Sequence, residues 1–377
     1  VKVAIVGAVG VPANYGGFET LAENLVRYHH AHALPDRLTV YCSSRAYPAR
    51  ESSFLSARLR YIPLNANGAQ SILYDVWSLV SAVRHHNDVL LLLGVSGAIA
   101  LPLVRFLSPA RIITNIDGIE WRREKWQGWV KRFLRWSEKL AVRYSHEVIA
   151  DNSVIATYVR EAYGTDCHVI AYGGDHAVNV EAQPVPEYDL PEHYAFSMCR
   201  IEPENNIHMV LEAFARHPSL PLVMVGNWAN NEYGRVLRKR YADVTHLYLL
   251  DPIYDLGKLK TLRSSAVLYV HGHSAGGTNP SLVEAMHFGK HVLVYDCDFN
   301  RATTEEKAWF FKNSEQLCVL IDAFLRIGAQ QNGQTMREIA QRSYTWNIIG
   351  KKYFDLFKCC LIGQKSFDRC QESCRFY

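Results

Sequence analysis

Short apolar runs and amphipathic stretches alternate from the first residue of this 377-residue chain. Runs rich in Val, Ile and Leu, bounded by turn residues, read as strands at Val3–Val6, Leu38–Cys42, Leu59–Ile62, Val89–Leu93, Ile112–Asn115, Glu147–Ala150 and His168–Ile170. Between them, apolar residues recur at helical spacing, as in Thr20–His30 and Ile72–His85. Alternation of this kind predicts an α/β fold of parallel sheets with helices on both faces. It breaks at VEAQPVPEYDLPEH, residues 180–193, which has three prolines, acidic residues and no periodicity and reads as a linker. A second series then begins with Tyr194–Met198, Leu222–Val225, Leu247–Leu249, Ala266–Val270 and His291–Tyr295. The expected organisation is two doubly wound, Rossmann-like domains, 1–179 and 194–345, with a ligand cleft between the carboxyl ends of their sheets.

The richest chemistry follows the run Ala266–Val270, in HGHSAGGTNPSLVEAM, residues 271–286. A strand leads into paired glycines, Asn279 stands where it can cap, Pro280 fits the first helical position, and a helix carrying Glu284 follows. Gly276 and Gly277 lack a Cβ, so an oxyanion can approach their N–H groups, while the helix start adds unpaired donors and a positive dipole end. Glu284 lies about one turn further in, where a carboxylate can accept hydrogen bonds from a ribose. A plain strand-loop-helix connection with a buried Glu fits the same pattern.

Two further segments offer related chemistry. NYGGFET, residues 14–20, puts another glycine pair between the opening strand and a helix, without the GxGxxG spacing of a dinucleotide site. Arg200, directly after the strand Tyr194–Met198, can fork onto phosphate oxygens or form an ordinary ion pair with Glu202 or Glu204. Asp296 and Asp298 form a DCD run after a strand, which either binds a divalent cation or is an Asp-rich turn. His271 and His273 have no third residue at metal-site spacing and read as satisfied loop histidines that can contact a ligand.

Composition changes this picture little: 49% hydrophobic and 21% charged residues describe a soluble globular chain. Nine cysteines, an odd number scattered through strand-like runs, suit a reducing compartment, and the N-terminus has no signal-peptide pattern, so a cytoplasmic protein is expected. Four cysteines, Cys359, Cys360, Cys370 and Cys374, fall near the end at a spacing that matches zinc sites poorly. The longest uncharged stretch, Val89–Val104, is too short and too broken by Gly and Pro to span a bilayer.

The net charge of +4 is modest but concentrated. From Trp121 to His146 there are eight Lys or Arg, two Glu and four Trp. At helical spacing Trp126, Trp129, Val130, Phe133, Leu134, Leu140 and Ala141 share one face, with Lys131, Arg132, Arg135, Lys139 and Arg143 opposite. Such a helix either lies on anionic lipid, with Trp129, Arg132, Arg135 and Lys139 in contact, or is a domain helix with a solvated basic face. Nucleic acid is not expected, because no recognition motif accompanies the charge.

YGGFET, NIDGIEWRREKW (115–126), AYGGD (171–175), RIEPENN (200–206) and GGTNPSLVEAM together resemble the retaining glycosyltransferases of GT-B fold in glycosyltransferase family 4. More narrowly, the chain is similar to bacterial rhamnosyltransferases with a DUF1972-type N-terminal domain. SYTWNIIGKKYFDLF, residues 343–357, resembles the closing helix that crosses back to the N-terminal domain, expected at 346–360, leaving 361–377 as a tail outside the pattern.

The resemblance implies that Gly16 and Gly17 face a donor diphosphate, that Arg200 stabilises the departing phosphates, and that Glu284 holds the ribose. Gly277, Thr278 and Asn279 would serve the diphosphate, with Asn205, His273, Gly276 and Ser281 also in the donor site. Asp117 and Glu120, in NIDGIEW, are candidates for positioning the acceptor hydroxyl, with Asp117 a candidate base or an ordinary turn Asp. Two positions depart from many relatives. Gly276 stands where a Glu is usual, eight residues before Glu284, and Asn205 stands where a Lys is usual. Both mark a specialised donor, or a loss of activity.

The implied reaction is transfer of L-rhamnose from dTDP-L-rhamnose to a lipid-linked saccharide, in O-antigen or capsule synthesis at the inner face of the cytoplasmic membrane. No metal and no cofactor beyond the nucleotide sugar is expected, since Arg200 and the glycine cradle supply the charge stabilisation. The absence of an evident nucleophile-base pair suits front-face attack, in which the leaving phosphate takes the acceptor's proton. A sugar-nucleotide epimerase of the same fold and a non-catalytic sugar-nucleotide-binding subunit are the competing readings.

Overall fold

A computed structural model describes residues 1–13, 16–123, 126, 128–328 and 332–362. Asn14 and Tyr15 of the first glycine motif, and Cys370 and Cys374 of the tail, lie outside the described residues. The chain forms two compact units, Val1–Ala171 with the chain from Trp346 onward, and Tyr172–Thr345.

The first unit is built on an eight-stranded sheet. Its strands are β1 (Lys2–Val6), β2 (Arg37–Ser43), β3 (Ser53–Phe54), β4 (Ala57–Ile62), β5 (Val89–Leu93), β6 (Arg111–Asn115), β7 (Glu147–Ala150) and β8 (His168–Val169), in the order β3-β4-β2-β1-β5-β6-β7-β8. All pairs are parallel except the short β3 against β4. β1 lies at the centre, with Val3 opposite Leu38 of β2 on one side and Val89 of β5 on the other. Helices cover both faces of a parallel sheet, which is why β5, Val-Leu-Leu-Leu-Leu, is buried at every position.

The helices of this unit are α1 (Gly17–Ala31), α2 (Ser71–Arg84), α3 (Leu101–Leu107), α4 (Gly128–Tyr144) and α5 (Ser153–Tyr163). A long helix after residue 345, Trp346–Ile362, completes it. That helix packs on α1 because Gly350 has no Cβ; one there would meet the Tyr28 ring at 2.3 Å. Tyr28 stacks on Phe354, and Tyr353 is buried and accepts a 2.8 Å hydrogen bond from Asn115 at the end of β6.

The second unit holds β9 (Ala195–Met198), β10 (Leu222–Val225), β11 (Leu247–Leu250), β12 (Leu268–His271), β13 (His291–Tyr295) and β14 (Trp309–Phe311), all parallel, in the order β11-β10-β9-β12-β13-β14. Its helices are α6 (Ile207–Ala215), α7 (Glu232–Arg240), α8 (Leu256–Ser265), α9 (Pro280–His287), α10 (Asp298–Thr303), α11 (Ser314–Ile327) and α12 (Gly333–Ser343), so the helix of the first unit that follows them is α13. One core of this unit gathers Phe214, Leu222, Trp228, Leu268, Leu293 and Phe311.

The compact units divide after Ala171, ahead of the expected domain end at 179. Local hydrogen bonds account for this. Gly174 N–H reaches Tyr344 O at 2.8 Å, and Lys260 on α8 donates to the carbonyls of Val178 (3.0 Å) and Val180 (2.7 Å). The proline-rich stretch 180–193 continues along α8: Gln183 N–H bonds Gly257 O, and Glu187 pairs with Lys258.

His291, at the start of β13, is buried and among the described residues neither ring nitrogen has a hydrogen-bond partner; the ring lies among Trp309 and Phe324. Burial pushes it from 6.5 down to about 4. The folded state therefore binds fewer protons than the unfolded state between those values, and stability is lost as pH falls through that window. We predict that thermal melts show His291→Phe gaining on the wild type as pH drops from 7 to 5, by up to ~1.4 kcal/mol per pH unit, with little difference at pH 8.

Candidate functional site

In the second sheet the order of strands reverses between β9 and β12, so the loops leaving their carboxyl ends part and open a crevice. Arg200 begins the loop after β9, and Gly272–Asn279 is the loop after β12. The two loops are stitched together. Asn206 Nδ2 donates to Gly272 O at 2.9 Å, and Ser274 places its N–H (3.0 Å) and hydroxyl (2.8 Å) on Glu204 O. A Cβ on Gly272 would meet Asn205 O at 2.3 Å, so only glycine permits this approach.

Arg200 is held at its backbone and open at its side chain. Asn205 Nδ2 donates to Arg200 O at 2.7 Å, while the guanidinium, 40% exposed, comes no closer than 4.0 Å to Glu202. Asn205 is itself buried, so its amide acts as a clamp on the Arg200 loop.

Gly276 has φ +116, a conformation side chains rarely adopt, and Thr278 is buried behind it. Asn279 occupies the N-cap position of α9, but its side chain makes no cap hydrogen bond; its carbonyl accepts from Leu282 and Val283 instead. The expected Asn279 side-chain cap is therefore absent; Pro280 has no N–H and Leu282 N–H goes to the Asn279 carbonyl, so in the first turn Ser281 N–H is the donor that Asn279 does not take. Ser281, in that first turn, shares a side-chain hydrogen bond with Tyr269. The His273 ring stacks on His271, 4.1 Å between centroids, and its carbonyl accepts from Asn300 Nδ2 at 2.9 Å. Burial drives His271 down to about 3, so it is a neutral imidazole.

Glu284, one turn into α9, is buried and already has two partners. Arg263, a buried guanidinium from α8, donates to Oε2, and His176 Nε2 lies 3.3 Å from Oε1. Burial would raise this carboxyl, but the charge of Arg263, aided by His176, holds it below its ordinary value. Each carboxylate oxygen keeps a second lone pair for a ligand hydroxyl. Neither partner was foreseen in the sequence. They lie far from Glu284 along the chain, and Arg263, inside KTLRSS, reads as a surface cation.

Asp296 of the DCD run is taken up by cations, Arg301 at 2.6 Å and Lys312 at 3.6 Å, and the hydrogen bond from Arg301 holds it below the usual Asp value. Among the described residues there is no group of three or more His, Cys, Asp or Glu arranged to hold a metal.

The candidates of the first unit lie beyond the ends of its strands. Gly16 precedes α1 with φ +132, and a Cβ there would strike the Glu19 carboxylate at 1.9 Å. Glu19 is buried and accepts from Val9 N–H at 2.7 Å; burial raises its carboxyl. Gly17 is the first residue of α1. Asp117 follows β6 in the left-handed region, φ +55, and its N–H bonds Asn115 Oδ1 at 2.9 Å. Such backbone in a non-glycine residue is uncommon and concentrates at functional turns. The Glu120 carboxylate is engaged within its own loop, by Trp126 Nε1 at 2.9 Å and Arg123 Nε at 2.8 Å.

The basic helix α4 corrects the expected face. Leu134, Ser137, Glu138, Ala141 and Val142 are buried, whereas Trp129 is 71% exposed on the side of Arg132, Arg135, Lys139 and Arg143. The inward face is set by polar groups as well as apolar ones. Ser137 donates to Val95 O at 2.6 Å, and Glu138 Oε1 accepts from Tyr158 (2.6 Å) and Tyr163 (2.7 Å). No helix among the described residues is long and apolar enough to cross a membrane.

Comparison with known proteins agrees with this geometry. Residues 1–175 match the domain of unknown function DUF1972, and residues 181–344 match the glycosyl transferases group 1 family. No curated protein sequence matches the chain. Among solved structures, sucrose-phosphate synthase (tll1590) from Thermosynechococcus elongatus is similar at TM-score 0.78 and 15% identity, covering 96% of this chain and 100% of that one. HepE (Alr3699) from Anabaena, solved with UDP, has TM-score 0.72 and 14% identity over 95% of this chain and 99% of its own. A glycosyltransferase from Rickettsia africae ESF-5 has TM-score 0.72 and 14% identity over 96% and 99%. The two Rossmann-like units are those of a glycosyltransferase of the GT-B fold. Residues 1–175 thus form a DUF1972 domain and residues 181–344 a glycosyl transferases group 1 domain.

Arg263→Ala would leave Glu284 buried without its principal counter-charge. We expect a loss of roughly 3–5 kcal/mol in the stability of the second unit, read by chemical denaturation.

Proposed function

We propose that the protein is a retaining transferase that moves L-rhamnose from dTDP-L-rhamnose onto a lipid-linked saccharide, at the inner, anionic face of a bacterial membrane, in cell-surface polysaccharide synthesis. The observation that carries the transfer is the pairing of an open Arg200 guanidinium with the uncapped start of α9 on the two loops that flank the β9/β12 crevice. A diphosphate leaving there meets a fixed cation, the N–H groups of Gly276 and Gly277, and a helix N-terminus, all in place before charge develops. HepE, a fold relative, has been solved with UDP and with UDP-glucose, which supports a nucleoside diphosphate sugar as donor.

Each remaining residue takes a role consistent with its surroundings. Glu284, kept ionised by Arg263 and His176, accepts from the ribose hydroxyls. Gly276, in place of a carboxylate, leaves the sugar pocket less polar, which suits a deoxysugar. Asn205 clamps the Arg200 loop and adds no charge, so Arg200 carries more of the phosphate charge. Asp117, in the left-handed turn after β6, positions the acceptor hydroxyl. The attack is front-face: the new glycosidic bond forms as the bond to phosphate breaks, and the acceptor proton passes to the leaving phosphate oxygen.

The exposed face of α4 supports contact with the membrane. Trp129 and Trp136 stand beside Arg132, Lys139 and Arg143. The neighbouring α3 exposes Leu103, Leu107 and Phe106, the last by 86%. Indole rings at the interface and cations among headgroups are the pattern of a surface-bound helix, and an acceptor carried on lipid requires such a surface.

Incubation with labelled dTDP-L-rhamnose and extracted membranes separates the readings: label in lipid for the transferase, label in a new soluble sugar for an epimerase, retained donor for a binding subunit. Arg200→Ala is expected to lower turnover about 10²–10³-fold with the melting temperature unchanged; near-normal turnover would remove Arg200 from the mechanism. Neutralising Arg132, Arg135 and Lys139 together should move the protein off phosphatidylglycerol vesicles at low salt, at about 1 kcal/mol per charge. Unchanged co-sedimentation would count against α4 as the contact.

A further inference from the structure

A second cluster of cations lies at the other end of α9 from the diphosphate cradle. A cleft of about 480 Å³ opens there, lined by Lys260 and Ser264 of α8, Phe288 and Lys290 after α9, and Arg337 and Gln341 of α12. That volume is within the range of small-molecule sites. α9 has eight residues, so roughly 12 Å of helix separates this cleft from the cradle.

The lining carries three cations and no carboxylate, and among the described residues none of the three forms an ion pair. Part of this charge has a structural use. Arg337 donates to Phe288 O at 2.9 Å and lies across Gly289, where a Cβ would meet its Nε at 2.7 Å; it thereby closes the carboxyl end of α9. Lys260 donates to two backbone carbonyls. Those bonds satisfy donors but leave the positive charges uncompensated. Among the described residues Lys290 has no such bond, and it is half-buried beside Arg337; burial and the like charge of Arg337 both lower its affinity for a proton. Cations held together around a concave, partly desolvated surface focus a positive potential into it. The Ser264 hydroxyl and Gln341 amide add neutral donors, and the Phe288 ring an apolar wall.

We propose that this cleft binds a phosphate-bearing small molecule, a sugar phosphate or nucleotide, held by Lys260, Lys290 and Arg337 at a site separate from the donor cradle. Its phosphate oxygens would fork onto the free edge of the Arg337 guanidinium and take the Lys290 ammonium as a point charge. α8 and α9 build both places: Lys260 and Arg263 lie one turn apart on the first, Glu284 and His287 one turn apart on the second. An anion in the cleft is therefore one helical turn from the Arg263–Glu284 pair.

Calorimetric titration of the full chain with inorganic pyrophosphate tests this, with Arg200→Ala used to weaken the donor cradle. In that background pyrophosphate binding should persist, and adding Lys290→Ala with Arg337→Ala should weaken it about tenfold or more. Lys290→Gln keeps the side-chain length and leaves Arg337 on Phe288, so it should weaken binding with an unchanged melting temperature even if the double variant is unstable. Absence of pyrophosphate binding in Arg200→Ala, or wild-type affinity in Lys290→Gln, would overturn the site. Sedimentation with phosphatidic acid vesicles tests the other source of phosphate: if the Lys290 variant loses vesicle binding while pyrophosphate affinity is untouched, the soluble ligand is wrong. The readout is binding alone, so it stands apart from whether rhamnose is transferred.

Discussion

The close approach of Asn205 O to Gly272 is the constraint on which the crevice between β9 and β12 rests. It lets the loop after β9 and the loop after β12 share hydrogen bonds through Asn206, Glu204 and Ser274, so that Arg200 and the glycine cradle hold fixed positions relative to one another. Two short polar loops at strand ends would otherwise be mobile, and a bound anion would have to organise its own partners. Preorganised donors cost nothing at that moment. Any side chain at position 272 would force the loops apart and spoil both halves of the arrangement together.

The same logic governs Glu284. A lone buried carboxylate would take up a proton and cease to be an acceptor; a lone buried guanidinium would be worse. Arg263 and Glu284 answer one another, and His176, from the segment that joins the second unit after Ala171, adds a third group. The ionised state of Glu284 thus depends on residues from α8 and from the segment that follows Ala171. The stretch 180–193, read from its prolines as a linker, is tied to α8 by Gln183 and Glu187.

Much of the fold was legible because parallel strands buried on both faces leave continuous apolar runs. β5, β7, β10 and β13 coincide with the runs that predicted them. β14 escaped notice: three residues, Trp309–Phe311, between lysines show no period. The glycine motifs and Arg200 stood out in the sequence because of where they fall relative to strand ends. Partners that meet only after folding were not, as with Arg263 and His176. The α4 face failed for a different reason. Periodicity counts apolar residues, whereas the inward side of that helix is fixed by a hydroxyl and a carboxylate with specific acceptors and donors, and Trp129 was displaced to the outside. The cations of the cleft beyond α9 come from three separate stretches and form no cluster in the sequence.

α13 lies with the first unit although the whole second unit separates it from the strands it covers. Tyr353 meets Asn115 across 238 positions of chain, and Gly350 admits a ring from α1. The second unit is one continuous stretch, so its contacts are complete once Thr345 has been made. During synthesis the earlier-made half must therefore wait, with the bed of α1 uncovered, until α13 has left the ribosome. Order of assembly then runs against order of translation, and a truncation within the final helix would injure the N-terminal domain first.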